Sequence, residues 1–382
     1  MSDLPDAPPL GELAAAQRAT EGASSGADER RNNPLHPVSR GPPPPEGEEQ
    51  IAWRLSPPGF DEIEAAAARI AGVLVRTPLL ESERLNRQLG GRLLVKAEGL
   101  QRTGSFKARG AWNRLSLLTP EERARGVLAY SSGNHGQAVA WAAHRQGLAA
   151  VVVMPADAPP VKIARTRGWG AEVVLYDRWA EDREAIGTRL ASERGLVLVP
   201  PFEDRRIIAG QGTLGLEAAE QARALGAEPD ALLVCCSGGG LTAGCALAWE
   251  AMLPNARVWA CEPEAFDDTA RSLAAGRRVS VDPAARSICD AVLTPTPGAL
   301  TFAINAPRLG GAVAVSDGEA LAAMRTAAEE FGLVVEPGGA VALAAVLSGR
   351  FPLEGRTVVA TLSGANVDPA LLAQALSGAA LA

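Results

Sequence analysis

The feature that most constrains this chain is the alternation of short, unbroken apolar runs with longer Ala-rich segments of helical period. Candidate strands are LLVKAE (93–98), GVLAYS (126–131), AAVVVMP (149–155), EVVLYD (172–177), LVLVP (196–200), ALLVCC (231–236), RVWACE (257–262) and TVVATLS (357–363). Between them lie helix-like segments such as GQAVAWAAHRQG (136–147), QGTLGLEAAEQARALG (211–226) and EALAAMRTAAEEFG (319–332). A strand that is apolar throughout has to be covered on both faces, and crossover helices do this when strands run parallel. The expected class is therefore α/β, with parallel, doubly wound sheets. The density of strand–helix units predicts two sheets with a site between them, at the carboxyl ends of the strands.

The first 52 residues read differently. They are rich in Pro, Gly, Ser, Glu and Arg and include Gly41-Pro42-Pro43-Pro44-Pro45-Glu46-Gly47. Such text buries too little apolar surface to offset chain entropy, so a disordered tail is expected there. Order is predicted to begin near Phe60, where DEIEAAAARIAGVL has helical period and Asp61 is a candidate N-cap.

Several function classes are disfavoured. No apolar run approaches the roughly 18 residues a membrane span needs, and the acidic, Pro-rich start does not read as a secretory signal. Net charge is −7 with dispersed arginines, which argues against nucleic acid and anionic membranes. The five cysteines (Cys235, Cys236, Cys245, Cys261, Cys289) contain no CxxC pair and sit mostly in apolar text, as buried free thiols do. A cytoplasmic enzyme acting on a small molecule fits best.

Five motifs fall at strand ends. Thr103-Gly104-Ser105-Phe106-Lys107-Ala108-Arg109-Gly110 follows LLVKAE, and Lys107 is one of only three lysines, with Lys96 and Lys162. Desolvation lowers an amine's pKa and frees it to form a Schiff base with an aldehyde. Taken alone, a surface lysine beside a loop is the plainer reading.

Ser131-Ser132-Gly133-Asn134-His135-Gly136 joins GVLAYS to a helix expected near Gly136. Backbone N–H groups at a helix N-terminus suit a substrate carboxylate. Asn134 suits a phenolate or hydroxyl, Ser132 can pass a proton, and His135 can orient the loop. An ordinary capped turn has the same text.

Cys236-Ser237-Gly238-Gly239-Gly240-Leu241-Thr242-Ala243-Gly244 is a third strand-to-helix turn, and successive glycines let backbone wrap a phosphate. It also permits a nicotinamide oxidoreductase, because Glu262 ends the next strand where a ribose-binding acid belongs. The spacing, however, is one residue longer than the dinucleotide fingerprint. Ser363, in Thr361-Leu362-Ser363-Gly364-Ala365-Asn366, can hydrogen-bond a neutral pyridine nitrogen and keep the electron sink weak, which favours prompt loss of a β-substituent. Otherwise it is a loop serine. Glu262-Pro263-Glu264-Ala265-Phe266-Asp267-Asp268 offers oxygen ligands to a hard cation, although composition alone favours a solvated acidic loop.

Together and in this order, from about residue 55 to 376, these motifs resemble the threonine/serine dehydratase and serine racemase group of pyridoxal-phosphate (PLP) enzymes. Ile208-Ala209-Gly210-Gln211-Gly212-Thr213 and Glu336-Pro337-Gly338-Gly339-Ala340 also match. The resemblance implies fold type II, the tryptophan-synthase-β-like arrangement. A large PLP-binding domain would span 53–118 and 206–382, and a small domain 119–205. Lys107 would carry the cofactor and take the substrate's α-proton. Phe106 would pack on the cofactor ring, Asn134 would meet its 3′-hydroxyl, and Ser363 its pyridine nitrogen. Ser237, Gly238, Gly239, Gly240 and Leu241 would cradle its phosphate. The backbone of Ser131, Ser132, Gly133, Asn134 and His135 would receive the substrate carboxylate. Glu262, the carbonyl of Phe266 and Asp268 would hold a divalent cation, usually Mg2+, with Ca2+ or Mn2+ as alternatives.

The implied reaction is β-elimination of water from L-threonine or L-serine to a 2-oxo acid and ammonia. Two features differ from much of the group. Ser237 replaces a fourth glycine and offers the phosphate an added hydroxyl. Ser132 stands where many threonine deaminases carry alanine, so serine racemization and 3-hydroxyaspartate dehydration are alternatives. No long segment follows the last motif, so no isoleucine-binding regulatory domain is expected. A homodimer is the expected assembly, as in the group and as the commonest symmetry.

Overall fold

The computed structural model describes residues 56–131, 133–158 and 160–378. The predicted tail at 1–52 and Ser132 lie outside the described residues. The strands are β1 (Leu79–Glu81), β2 (Arg92–Ala97), β3 (Val127–Tyr130), β4 (Ala150–Pro155), β5 (Glu172–Tyr176), β6 (Val197–Leu198), β7 (Ala231–Cys235), β8 (Arg257–Pro263), β9 (Leu309–Val315) and β10 (Thr357–Leu362).

They form two sheets, one of order β1-β2-β10-β7-β8-β9 and one of order β5-β4-β3-β6. Every pairing is parallel except β1 with β2. The strands of the second sheet all lie between Val127 and Leu198.

The period of two along each strand sends neighbours to opposite cores. Leu93 and Val95 of β2, and Val358 and Ala360 of β10, join the core under the helices Asp317–Phe331 and Pro337–Leu347. Leu94 and Val359 join the core under Arg205–Ala224 and Gly240–Met252. The second sheet divides likewise, Val127 and Ala129 to one side and Leu128 and Tyr130 to the other. Continuous apolar text thus becomes two covered faces.

Some boundaries and two strands differ from expectation. Gly59, not Asp61, caps the first helix, Phe60–Ile70, with Glu62 closing back on the Gly59 N–H. The helix expected near Gly136 begins at Asn134. The one expected from 211 begins at Arg205, because the Asp204 carboxylate accepts the N–H groups of Arg206 and Ile207.

Strands β1 and β9 are additional. The LGGAVAV text of β9 is not among the expected strands, and its glycines serve packing: a Cβ on Gly310 or Gly311 would come within 2.6 or 2.5 Å of the Trp259 indole. All five cysteines are buried free thiols. Among the described residues, no helix is long and apolar enough to cross a membrane.

Candidate active site

Lys107 opens the helix Lys107–Ser116, reached from β2 through two short 3-10 turns. The segment before it is stitched to the end of β10. Ser105 bridges Gly364, the Phe106 N–H donates to the Ser363 carbonyl at 3.1 Å, and the Ala365 N–H donates to the Gly104 carbonyl at 2.8 Å. The lysine motif and the serine motif, distant in sequence, therefore lie side by side.

The Lys107 amine donates to the Pro201 carbonyl at 3.0 Å and lies 5.2 Å from the Phe106 ring centroid. Burial, with a smaller contribution from Arg183, brings its pKa down to about 8. Such an amine has a far larger unprotonated fraction near neutrality than a solvated lysine, as attack on an aldehyde requires.

The helix carrying Lys107 is fixed by a buried ionic cluster. The Arg109 guanidinium donates to Glu98 and Glu217, each at 2.8 Å, and the Lys96 amine donates to Glu217 at 2.8 Å and to the Thr77 carbonyl at 2.7 Å. Two cations facing two carboxylates, each hydrogen-bonded, is the arrangement in which buried charge is tolerated. Sequence reasoning missed it, because Glu217 reads as the solvent face of an amphipathic helix. Arg109, inside the lysine motif, was the available signal.

Ser237–Gly240 turns β7 into the helix Gly240–Met252. Here glycine is dictated by geometry. Gly239 has φ +88°, and a Cβ on it would lie 2.8 Å from the Asn305 amide nitrogen; one on Gly238 would be 2.3 Å from the Phe202 ring. Thr301 and Asn305 donate to the carbonyls of Gly238 and Gly239, which leaves the loop's N–H side turned the other way. Among the described residues, the N–H groups of Gly238, Gly239 and Gly240 donate to no protein acceptor.

Unpaired N–H groups at the head of a helix fit a phosphate. The Ser237 hydroxyl, expected to add a contact there, is instead engaged with Thr294, donating to its Oγ1 at 2.8 Å and accepting from its N–H at 3.2 Å. A Gly239→Ala substitution puts a side chain in the left-handed region at about 1–2 kcal/mol and obstructs the turn. We expect PLP affinity to fall about tenfold or more, measured by cofactor titration, with far-UV circular dichroism unchanged.

The Asn134 loop leads into the helix Asn134–Gln146. His135 is buried, its Nε2 contacts the Val199 carbonyl at 2.9 Å, and burial followed by the charge of Lys107 pushes its pKa down to about 3. Near neutral pH its ring is therefore uncharged. The Asn134 amide donates to Glu336 at 2.5 Å and its oxygen accepts from Asn366 at 2.8 Å. Ser363 is buried, and its N–H donates to the Gly339 carbonyl at 3.1 Å.

A family model described as "Pyridoxal-phosphate dependent enzyme" matches residues 70–364. The chain belongs to this family. The PLP enzyme is 40% identical over 321 residues to an L-threo-3-hydroxyaspartate ammonia-lyase of Saccharomyces cerevisiae, covering 84% of this chain and 97% of that protein. It is 38% identical to a serine racemase of Schizosaccharomyces pombe, covering 81% and 95%. Among solved structures, a threonine deaminase from T.th. is 46% identical with TM-score 0.76, covering 81% of this chain and 99% of that one.

The fold is that of the type II PLP enzymes, and PLP is the cofactor of the family. The nicotinamide reading is thereby overturned. Its proposed ribose acid, Glu262, is buried and accepts the N–H groups of Thr269 and Ala270, each at 3.0 Å.

The acidic loop of the PLP enzyme is solvated only in part: Glu264 is exposed and Asp267 half-buried. Glu262 and Asp268 are both fully buried, and neither Asp268 oxygen has a hydrogen-bond partner. Burial raises their pKa values to about 7 and about 8 respectively, and the charge of Glu262 adds to the rise for Asp268. Among the described residues, no three His, Cys, Asp or Glu side chains cluster to hold a metal. A third ligand would have to be backbone, and the turn Glu264–Phe266 brings the Phe266 carbonyl into this loop. Two unneutralised carboxylates with a carbonyl fit a hard, oxygen-preferring cation.

Proposed function

We propose that the enzyme is a 3-hydroxyaspartate ammonia-lyase, eliminating water from the amino acid to yield oxaloacetate and ammonia. The observation that carries this reading is Arg183, at the start of the helix Arg183–Arg194. It has no carboxylate partner among the described residues, and its charge acts on Lys107, Tyr130 and Tyr176. A free guanidinium near the ends of β3 and β5, within electrostatic reach of the reactive amine, suits a substrate with a second carboxylate. Threonine and serine leave it unused. The name of the yeast relative supports the same substrate.

When bound, PLP withdraws electrons from the substrate's α-carbon and so acidifies its C–H bond. The residues then divide the remaining tasks. Gly238, Gly239 and Gly240, with Ser237 and Leu241, would hold the phosphate through backbone N–H groups. Phe106 and Asn134 would contact the ring and its 3′-oxygen, and Ser363 would offer its hydroxyl to the pyridine nitrogen. Backbone N–H groups of the Ser131–His135 loop receive the α-carboxylate. Lys107 would take the α-proton, and its ammonium would then protonate the departing β-hydroxyl. The enamine so released tautomerises and hydrolyses.

The test is a panel of L-threo-3-hydroxyaspartate, L-threonine, L-serine and D-serine, assayed for 2-oxo acid and for stereoinversion. The expected kcat/KM for hydroxyaspartate exceeds that for threonine and serine by about 100-fold. Equal turnover of threonine would return the assignment to threonine/serine dehydration. D-serine formation as the main activity would favour racemization, the reading that the fission-yeast relative and Ser132 support.

We also propose that Glu262, the Phe266 carbonyl and Asp268 bind Mg2+. A site that binds only the folded state stabilises it by about 2.7 kcal/mol at a hundredfold excess over Kd. Titrating Mg2+ into chelator-treated protein should raise Tm by several degrees, and Asp268→Asn should remove most of that rise. A flat titration at constant ionic strength would count against the site.

A further inference from the structure

Asn134 is held from both ends by residues of the other sheet's layer. Its N–H side donates to Glu336, the residue that begins the helix Pro337–Leu347, and its oxygen accepts from Asn366, just past β10. The helix Pro160–Gly168, which follows β4, adds a cation to each holder. Lys162 lies 3.9 Å from the Glu336 carboxylate and donates to Asp290 at 2.7 Å, while Arg165 donates to the Asn366 oxygen at 3.0 Å. The Lys162 side chain also lies over Gly133, where a Cβ would sit 3.4 Å from its amine. Lys162 and Glu336 are both buried, and Glu336 Oε2 has no hydrogen-bond partner.

A primary amide can turn by 180° about its terminal bond and exchange its donor and acceptor ends. Here the choice is forced. A carboxylate on one side can only accept, and the Asn366 N–H on the other can only donate. Asn134 is thus locked with its nitrogen toward Glu336, and the second hydrogen of that nitrogen remains available.

We propose that Lys162, Glu336 and Asn366 are positioning residues for the elimination, fixing the orientation of the Asn134 amide so that its free N–H serves the cofactor ring, with Lys162 supplying the countercharge that keeps Glu336 an acceptor. This rests on Asn134 as a ring contact, and it holds whichever β-hydroxy amino acid is the substrate.

The electrostatics agree with the geometry. Burial pushes the Glu336 carboxyl up to about 7, with Asp290 adding to the rise and Lys162 and Asn134 opposing it. Against the cost of its own burial, Lys162 is held protonated by Asp290 and Glu336. Without the lysine, a buried carboxyl facing Asp290 takes a proton and loses its obligate acceptor character.

The test uses the full-length holoenzyme and reads the visible absorption band of bound PLP and the PLP dissociation constant, besides activity. Lys162→Met and Glu336→Ala are expected to shift the band and to raise Kd about tenfold or more. Glu336→Gln, which can still accept from Asn134, and Lys162→Arg, which keeps the charge, are expected to recover Kd to within about threefold. Wild-type band and Kd in Lys162→Met and Glu336→Ala, alongside a shifted band in Asn134→Ala, would overturn this proposal alone. An unshifted band in Asn134→Ala would overturn the ring contact as well. A lowered Tm with band and Kd unmoved would make the cluster merely structural and would also refute the proposal.

Discussion

Lys107→Ala is expected to yield a folded, colourless protein whose elimination rate falls about 10^4-fold or more. Loss of a positioned base alone costs about 10^2–10^4-fold, and on the proposed reading the same amine is also the cofactor's covalent anchor. The fold should tolerate the change. One hydrogen bond to the Pro201 carbonyl disappears, a loss of about 1 kcal/mol, and the burden of a desolvated amine disappears with it. The Arg109–Glu98–Glu217 cluster that fixes the helix is untouched. Absorbance near the visible band, a calorimetric Tm and a 2-oxo acid assay check the three parts separately. A variant that remained yellow and active would remove Lys107 from the chemistry.

Arg183→Met is expected to lower kcat/KM for L-threo-3-hydroxyaspartate by roughly 30-fold to several thousand-fold, the cost of leaving a bound carboxylate without its cation. Values for L-serine and L-threonine should stay within about threefold, since neither presents a second carboxylate. The methionine keeps most of the side chain's length and apolar stem, so the loss measures charge and not packing. Arg183 also contributes to the depressed amine pKa of Lys107, so in the apo-protein that pKa should rise slightly. Equal losses for all three substrates would mean that Arg183 serves the site in general, and the hydroxyaspartate assignment would lose its physical support.

The sheets were legible because burial on both faces leaves continuous apolar text, as in β2, β7 and β10. The strand at Leu309–Val315 was not, since its glycines make room for Trp259, a neighbour that no local pattern reveals. The turn-forming motifs were legible for a related reason. Lys107, the three glycines and Ser363 sit in short segments whose composition is set by a single backbone demand. Arg183, Lys162 and Asp290 carry no such mark. Each is an ordinary charged residue in helix or loop text, and only packing of one sheet against the other brings it to the site. The lone oxygens of Asp268 show the opposite case: composition favours a wet loop, and the fold buries Glu262 and Asp268 while leaving Glu264 exposed.

The stitching of Ser105 to Gly364 and of Thr103 to Asn366, partners 263 positions apart in the second pair, has a consequence for biosynthesis. The segment that carries Lys107 is not held in place until β10 has joined the sheet. A chain cut before that strand should therefore ignore added PLP, and aldehyde capture should wait until that strand has joined the sheet, when contacts of such long range can close. Released chains of graded length, reduced with borohydride and probed for the trapped cofactor, would show this as a single step once β10 is included.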